Sequence, residues 1–261
     1  MRSACETSRA GALLLDADEA SHAHDPILIA WLDARSPFPP LDEALTEPNG
    51  LLAAGGDLSP ARLIDAYRHG IYPWYNHGQP LLWWSPDPRM VLFVAEFRMS
   101  RSLAKRVKRG EFEIRIDTAF DAVIEACARA PRQGQRGTWI TREMIAAYRR
   151  LHRLGYTHSV EAWRDGDLAG GLYGLALGRA FFGESMFARA TDASKVCLAA
   201  LVAFLQQRGV PLIDCQQETE HLASMGARPI PRREFARELD ELIHSNAAPA
   251  GWKAGPFLEQ G

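Results

Sequence analysis

The pattern of apolar and polar positions predicts several amphipathic helices, each bounded by residues that favour helix ends. Apolar residues recur at helical spacing between a capping Ser, Thr or Asp and a terminating Gly or polar turn. The predicted helices cover 59–70, 100–110, 119–130, 141–155, 192–209, 219–226 and 231–245. The first of them has Ser59 as N-cap, Pro60 at the first helical position and Gly70 at its end.

Other segments have the pattern of strands. Residues 112–117 (FEIRID) alternate with period two, and residues 157–187 form a meander in which Asp165-Gly166 is a hairpin signal. Further strands are predicted at 88–97 and 210–216. Helices mixed with a meander and a further short buried strand predict an α+β fold with a mixed sheet.

Residues 70–90 (GIYPWYNHGQPLLWWSPDPRM) show neither the helical nor the strand periodicity of apolar positions. They contain three Trp, two Tyr and four Pro. Trp139 follows a cationic loop in a similar context, within GTWIT. Aromatic side chains on loops beside a cationic surface can stack on unpaired bases. Packing between two domains is the alternative that this pattern leaves open.

Charge is unevenly distributed along the chain, although the net charge is only −2. Residues 1–97 carry −7, residues 98–153 carry +8 and residues 154–261 carry −3. Within the basic middle, Arg101, Lys105, Lys108 and Arg109 have the spacing of one helix face. Such a face indicates either a polyanion site or an ordinary solvated surface.

Composition excludes several other classes of protein. With 47% hydrophobic residues and 24% charged residues the chain is typical of a globular protein, and no apolar run approaches the roughly 20 residues of a membrane span. The four cysteines have no paired or zinc-site spacing, so reduced thiols and no metal are expected. Residues 1–25 are predicted to be a weakly ordered extension.

Two strands carry polar residues that require an explanation. In LIDCQ, alternation places Asp214 and Gln216 on one face and Cys215 on the other. In FFGESMF, alternation places Phe182, Glu184 and Met186 on one face. Burying a polar group on an apolar strand costs free energy, so such a group is expected to have a hydrogen-bond or ion-pair partner or a functional role. A strand end that opens into a polar loop, or an Arg partner for Glu184 in the core, would also explain them.

These segments occur in an order that resembles one family, the leucyl/phenylalanyl-tRNA–protein transferases. The resemblance rests on EPNGLLAAGGDLSPARLIDAYRHGIYPWY, LLWWSPDPR, GTWIT, HSVEAW, GGLYG, FFGESMF, ASK and LIDCQ…HLASMGA…IPRREF, and it covers about residues 36–240. It implies a small N-terminal α/β domain at 26–88 and a catalytic domain at 89–261 with an N-acetyltransferase-like (GNAT-like) fold. The turn ARATDAS lacks the glycine-rich turn of ordinary acetyltransferases, which disfavours acetyl-CoA.

The resemblance also implies an activity. Members move Leu or Phe, and less well Met, from aminoacyl-tRNA to the N-terminal Arg or Lys of a protein, which creates an N-degron for proteolysis. No cofactor or membrane is implied, and the protein is expected to be a cytoplasmic monomer. The alternatives are a tRNA-binding module without catalysis, an acetyl-CoA N-acetyltransferase, and a peptidoglycan tRNA-dependent transferase.

Roles for individual residues follow from the same resemblance. Asp214 and Gln216 are the implied catalytic pair, and Glu184 is expected to pair with the basic acceptor residue. The remaining implied residues bind the terminal adenosine (Trp74, Trp139), line the pocket for the transferred side chain (Leu172, Phe181, Leu201) and contact the tRNA acceptor stem (Arg101, Lys105, Lys108, Arg109). Leu201 stands where a larger aromatic is usual in the family. Our mechanism has Gln216 orient the attacking amine, because a neutral amide is too weakly basic to hold its proton.

Overall fold

The computed structural model describes residues 12–14, 28–131, 138–244 and 251–257. Most of the predicted N-terminal extension and the cationic loop at 132–137 lie outside the described residues. The described part of the chain forms two β-sheets and seven α-helices. This mixture confirms the predicted α+β class.

The first sheet is built from short strands that precede residue 88. Its strands are β1 (Ala12–Leu14), β2 (Leu28–Leu32), β3 (Leu51–Gly55), β4 (Tyr72–Pro73) and β5 (Leu82–Trp84). They lie in the order β1–β2–β3–β5–β4. The aromatic stretch without a period therefore forms two short antiparallel strands, β4 and β5, joined by an exposed turn.

Helix α1 (Pro60–Arg68) follows β3 and begins where the sequence predicts. The Ser59 hydroxyl accepts the Arg62 N–H, and Pro60 occupies the first helical position. Its buried face includes Leu63 and Tyr67. This face brings a tyrosine of the N-terminal region into the interior of the protein.

The second sheet has eight strands and lies after residue 88. They are β6 (Arg89–Phe93), β7 (Glu113–Ile116), β8 (Thr157–Arg164), β9 (Asp167–Leu177), β10 (Ala180–Ala188), β11 (Leu212–Gln216), β12 (Arg228–Ile230) and β13 (Gly255–Pro256). Their order is β12–β6–β11–β10–β9–β8–β7–β13. The β10–β11 pair is parallel, and the other neighbouring pairs are antiparallel.

Helices cover both faces of this sheet. They are α2 (Arg101–Lys108), α3 (Phe120–Arg129), α4 (Arg142–Arg153), α5 (Ala193–Gln207), α6 (Glu220–Ala223) and α7 (Arg232–Leu242). One apolar layer contains side chains of α1, α3, α4 and α7, and the other contains side chains of α2 and α5. Helix α5 is the crossover that two parallel strands require.

The first apolar layer contains residues of both sheets, including Leu51 and Trp83 from the first and Phe182 and Leu212 from the second. The two sheets therefore share one hydrophobic core. The predicted domain boundaries, 26–88 and 89–261, stay a prediction.

The meander agrees with its sequence signals at the first turn. Asp165 and Gly166 both have positive φ, at 55° and 84°, as a two-residue hairpin turn needs. The hairpin therefore joins β8 and β9 as predicted.

Strand β10 departs from regular alternation. Its pairing with β9 shifts between Gly183 and Ser185, so Glu184 is an extra residue in the strand. Phe182 then lies in the first apolar layer, whereas Met186 packs against the second. The prediction that Met186 shares a face with Phe182 and Glu184 is wrong, because the bulge reverses the alternation after Glu184.

Two facing glycines provide a test of how closely β9 and β10 are packed. A Cβ at Gly174 would lie 2.3 Å from the Phe182 carbonyl oxygen, whereas a Cβ at its partner Gly183 would meet nothing nearer than 3.5 Å. We expect Gly174→Ala to lower the free energy of unfolding by about 1–3 kcal/mol, as overpacking does, in chemical denaturation. Gly183→Ala is the matched control, and an equal loss in both would contradict this packing.

Candidate active site

A cavity of about 350 Å³ opens between the first sheet, β9–β11 and helices α5 and α6. Seven residues predicted for the site line it together: Trp74, Trp139, Leu172, Phe181, Glu184, Leu201 and Gln216. Their spread from residue 74 to residue 216 means that the tertiary fold alone brings them together. The cavity is therefore our candidate active site.

The two predicted stacking residues stand on neighbouring loops. Trp74 packs edge-on against Trp84, with ring centroids 5.4 Å apart, and the Trp84 indole donates to the Trp74 carbonyl at 2.6 Å. The hydroxyls of Tyr75 and Thr141 lie 3.1 Å apart and connect the loop of Trp74 to that of Trp139. Both tryptophans are half-buried.

The inner wall of the cavity is apolar. Leu172 on β9, Phe181 on β10 and Leu201 on α5 are buried and belong to the second apolar layer. The sequence did not single out Leu198 or Ile213, which extend the same wall. Their apolar periodicity is common to core residues, so it carried no signal for a ligand pocket.

Asp214 lies behind this wall and is held by a buried arginine. Arg89 donates from Nε and Nη2 to the two carboxylate oxygens at 2.8 and 2.7 Å, and both side chains are fully buried. The guanidinium lies between the rings of Tyr72 and Phe235, at 4.8 and 4.7 Å. Such a pair is stable in the interior only because its geometry compensates for lost hydration.

Asp214 does not line the cavity; it fixes the backbone that leads to it. One of its oxygens accepts the Gln216 N–H at 2.9 Å, and Gln216 has a positive φ of 64°. The pairing of β11 with β6 shifts at the same point. Cys215 packs against the second apolar layer, and it lines the cavity together with Gln216, so simple alternation does not extend past this shift.

Glu184 is the carboxylate on the cavity wall. Its Oε1 accepts from the Tyr67 hydroxyl at 2.6 Å and from the Gln216 Nε2 at 2.9 Å, and its Oε2 accepts from the Tyr148 hydroxyl at 2.9 Å. Burial raises the pKa of Glu184 to about 7, although these three hydrogen bonds act in the opposite direction and the Asp214 charge adds to the rise.

The alternative of an arginine partner for Glu184 is therefore wrong. Tyr67, Tyr148 and Gln216 donate to Glu184, whereas Arg89 is paired with Asp214. The sequence missed Arg89, Tyr67 and Tyr148. An arginine at the start of an apolar strand was a usable signal for the first. The two tyrosines are indistinguishable in sequence from ordinary core residues on amphipathic helices.

The four predicted tRNA-binding residues lie apart from the cavity lining, on α2 and its C-cap. Arg101, Lys105 and Lys108 are exposed and have no ion-pair partner among the described residues. Arg109 is also exposed and lies 3.6 Å from Glu111. The predicted cationic face is therefore present.

One further cluster has metal-ligating residue types. Asp117, His152 and His158 each offer one donor atom within 4.8 Å of the others. His158 already contacts the Asp117 carboxylate at 2.7 Å and the Gly155 carbonyl at 3.1 Å, and its ring stacks on Trp252 at 3.9 Å. These contacts fit a buried polar junction beneath the C-terminal segment.

Comparison with known proteins defines the class and then the family. Residues 91–240 match the model of the leucyl/phenylalanyl-tRNA protein transferases, and residues 56–87 match that of their N-terminal domain. The transferase of Nitrosomonas europaea is 62% identical over 222 residues, which cover 85% of this chain and 92% of the relative. That of Azoarcus sp. is 60% identical over 232 residues, which cover 89% of this chain and 98% of the relative. The protein is thus an aminoacyltransferase.

Within that class, the chain belongs to the leucyl/phenylalanyl-tRNA–protein transferase family. Two solved structures that resemble the chain are much more distant from it in sequence. L-PGS from Bacillus licheniformis has 10% identity and a TM-score of 0.35, covering 72% of this chain and 65% of that one. A ribosomal-protein-alanine N-acetyltransferase from Brucella melitensis has 17% identity and a TM-score of 0.30. The match covers 54% of this chain and 95% of the acetyltransferase.

None of the helices in the described part of the chain is long and apolar enough to cross a lipid bilayer.

The buried ion pair behind the cavity gives a stability prediction. Arg89→Leu leaves the Asp214 carboxylate buried without a counter-ion, so we expect the free energy of unfolding to fall by about 3–5 kcal/mol. The double variant Arg89→Leu/Asp214→Leu should recover much of this loss in chemical denaturation. A double variant that loses the sum of the two single changes would show that the pair does not act as a unit.

Proposed function

We propose that this protein transfers Leu or Phe, and less well Met, from aminoacyl-tRNA to the N-terminal Arg or Lys of acceptor proteins. The reaction forms a peptide bond and marks the acceptor for proteolysis. It takes place in the cytoplasm, with the protein acting as a monomer and without a cofactor. Family membership supports this proposal, and one observation carries it: a single cavity is lined by two tryptophans, an apolar wall and a carboxylate hydrogen-bonded to an amide.

Trp74 and Trp139 bind the terminal adenosine of the tRNA in this proposal. Both line the cavity and both are half-buried. Stacking of a base on an aromatic ring contributes about 1–3 kcal/mol and does not depend on the rest of the nucleic acid. This mode suits an enzyme that accepts several aminoacyl-tRNAs with the same terminal nucleotide.

Leu172, Phe181 and Leu201 receive the transferred side chain. Their surfaces present no hydrogen-bonding group, so the pocket selects for apolarity. One methylene in such a pocket changes binding by only about 1–3 kcal/mol. Acceptance of Leu, Phe and Met by one site follows from this weak discrimination.

Gln216 orients the attacking amine. Asp214 accepts a hydrogen bond from the backbone N–H of Gln216, and Glu184 accepts one from its side-chain Nε2. Both the backbone and the side chain of Gln216 are therefore fixed in position. The side-chain carbonyl oxygen of Gln216, Oε1, then accepts a hydrogen bond from the attacking amine. Positioning of this kind can supply much of the rate of an ester aminolysis. Asp214 acts through Gln216, because it does not reach the cavity surface.

The cationic face of α2 binds the acceptor stem. Arg101, Lys105 and Lys108 are exposed and unpaired among the described residues, and Arg109 extends the face. Each phosphate contact from such a surface adds to affinity in a salt-dependent manner. Contacts to the backbone carry no sequence information, as an enzyme for several tRNAs requires.

A transfer assay tests the function. Radiolabelled Leu-tRNA is incubated with a peptide that begins with Arg, and a matched peptide that begins with Ala is the control. We expect label on the Arg peptide only. Gln216→Ala should reduce transfer about 100-fold or more, because it removes the group that orients the amine.

Label on both peptides would refute the proposed acceptor specificity. Binding of Leu-tRNA without label on either peptide would indicate a tRNA-binding module that lacks the activity. Thermal unfolding of the Gln216→Ala variant, compared with the wild type, distinguishes lost chemistry from lost fold.

The α2 surface gives a separate prediction. A triple variant with Arg101, Lys105 and Lys108 changed to Gln should bind tRNA with a weaker salt dependence. The slope of the logarithm of the association constant against the logarithm of the salt concentration should fall in magnitude by roughly 2–3, since each lost phosphate contact removes about 0.7–0.9. A double variant with Arg233 and Arg237 on α7 changed to Gln is the control and should keep the wild-type slope. Equal slopes in the triple variant and the wild type would place the tRNA elsewhere.

A further inference from the structure

Three acidic side chains meet at the wall of the cavity. Glu184 comes from β10, Tyr67 from α1 and Tyr148 from α4, and all three are buried. Each phenol donates to a different oxygen of the carboxylate, and the two phenol oxygens also contact each other. Gln216 adds an amide donor to the same carboxylate. We refer to Glu184, Tyr67 and Tyr148 as the Glu184 cluster.

The number of protons in the Glu184 cluster is restricted by its contacts. Three oxygen–oxygen contacts connect the three side chains, and a hydrogen bond between two oxygens requires one proton. The two phenols supply two protons. An ionised Glu184 therefore leaves the cluster one proton short, and a protonated Glu184 completes it. The cluster is built to take up a single proton.

We propose that the Glu184 cluster takes the proton released by the attacking amine and returns it to the ribose oxygen that leaves. This inference rests on the proposed function and adds a catalytic role for Glu184. It differs from the ion pair with the acceptor's basic residue that the family resemblance led us to expect, because here Glu184 exchanges a proton with the α-amine instead of pairing with the acceptor's side chain.

The proposed step balances in atoms and charge. The α-amine of the acceptor attacks the ester carbonyl carbon and forms the C–N bond. A carboxylate oxygen of Glu184 takes one proton from the nitrogen as its positive charge develops. The C–O bond to the ribose then breaks, and the same proton passes to the ribose oxygen. Glu184 ends the cycle ionised, as it began.

The electrostatic environment favours this role. Burial raises the pKa of Glu184 to about 7, the Tyr67 and Tyr148 hydroxyls act to lower it, and the charge of Asp214 acts to raise it. Arg89 is directed at Asp214 from the adjoining strand. A group with a pKa near the working pH is the most effective proton carrier.

Other titratable groups on the cavity wall or directly behind it fit the role less well. Burial raises the pKa of the Cys215 thiol and keeps it neutral. The pKa values of Tyr67 and Tyr148 are likewise raised well above their usual range, first by burial. His221 is a further proton acceptor that lines the cavity, with a pKa lowered by burial and by Lys195. It is therefore the rival that an experiment must exclude.

Kinetics under saturating Leu-tRNA and Arg-peptide separate the two candidates. Because the ionised form of Glu184 is the active one, wild-type kcat should rise with pH through about 7 and then level off. Glu184→Gln should lower kcat about 100-fold or more, lose this inflection and change the KM for the peptide little. Tyr67→Phe and Tyr148→Phe each remove a hydrogen bond to the carboxylate and also the contact between the two phenols, so the inflection should move away from the wild-type pH.

The matched control is His221→Gln, on the same wall. Its pH profile should keep the inflection near 7, because the proposal gives His221 no proton to carry. An inflection that disappears in His221→Gln and persists in Glu184→Gln would overturn the proposal. So would a Glu184→Gln variant that raises the KM for the Arg-peptide while kcat is retained, since this is the result an ion pair predicts.

A direct titration is independent of turnover. Infrared difference spectra of the wild type should contain the C=O stretch of a protonated carboxyl that titrates near pH 7. The band should be missing in Glu184→Gln and should titrate at a different pH in Tyr148→Phe. A carboxyl that titrates near the usual value for Glu, about 4.3, would overturn the inference. An inactive wild type with the band at pH 7 would refute the proposed function and leave the proton-binding cluster established.

Discussion

The candidate site depends on the burial of two carboxylates at the junction of the two sheets. Each has lost its hydration, which is costly unless other groups replace the lost hydrogen bonds. Asp214 obtains a full positive charge from Arg89, whereas Glu184 obtains only neutral donors. The same physical constraint therefore gives one carboxylate paired with an arginine and one held by neutral donors.

This difference explains why neighbouring acidic groups can have separate roles. Asp214 is fully buried behind the wall and orders the positive-φ backbone at Gln216. Glu184 lies on the wall, at the bulge where β10 gains one residue. Without that extra residue, the alternation of β10 would not bring both Phe182 and Phe187 into the first apolar layer on either side of Glu184. The bulge therefore places the carboxylate without removing apolar packing.

The N-terminal region is part of the site. Helix α1 contributes Tyr67, and the loop after it contributes Trp74, while β9, β10 and β11 contribute the wall. One apolar layer contains side chains from both sheets. A change in the packing of α1 would alter the hydrogen bonds of Glu184 and the position of Trp74 together, so both parts of the chain contribute to the cavity.

The sequence by itself determined the helices with strong caps, the hairpin at Asp165-Gly166, the α+β class and the family, because these depend on local chemistry and on ordered motifs. It also selected the seven predicted residues that line the cavity. Only the tertiary structure paired Arg89 with Asp214 and surrounded Glu184 with Tyr67 and Tyr148. It also reversed the face of Met186 through a bulge. Hydrogen bonds between residues 36 to 125 positions apart have no periodic signature, and a bulge is fixed by strand pairing rather than by the strand's own residues.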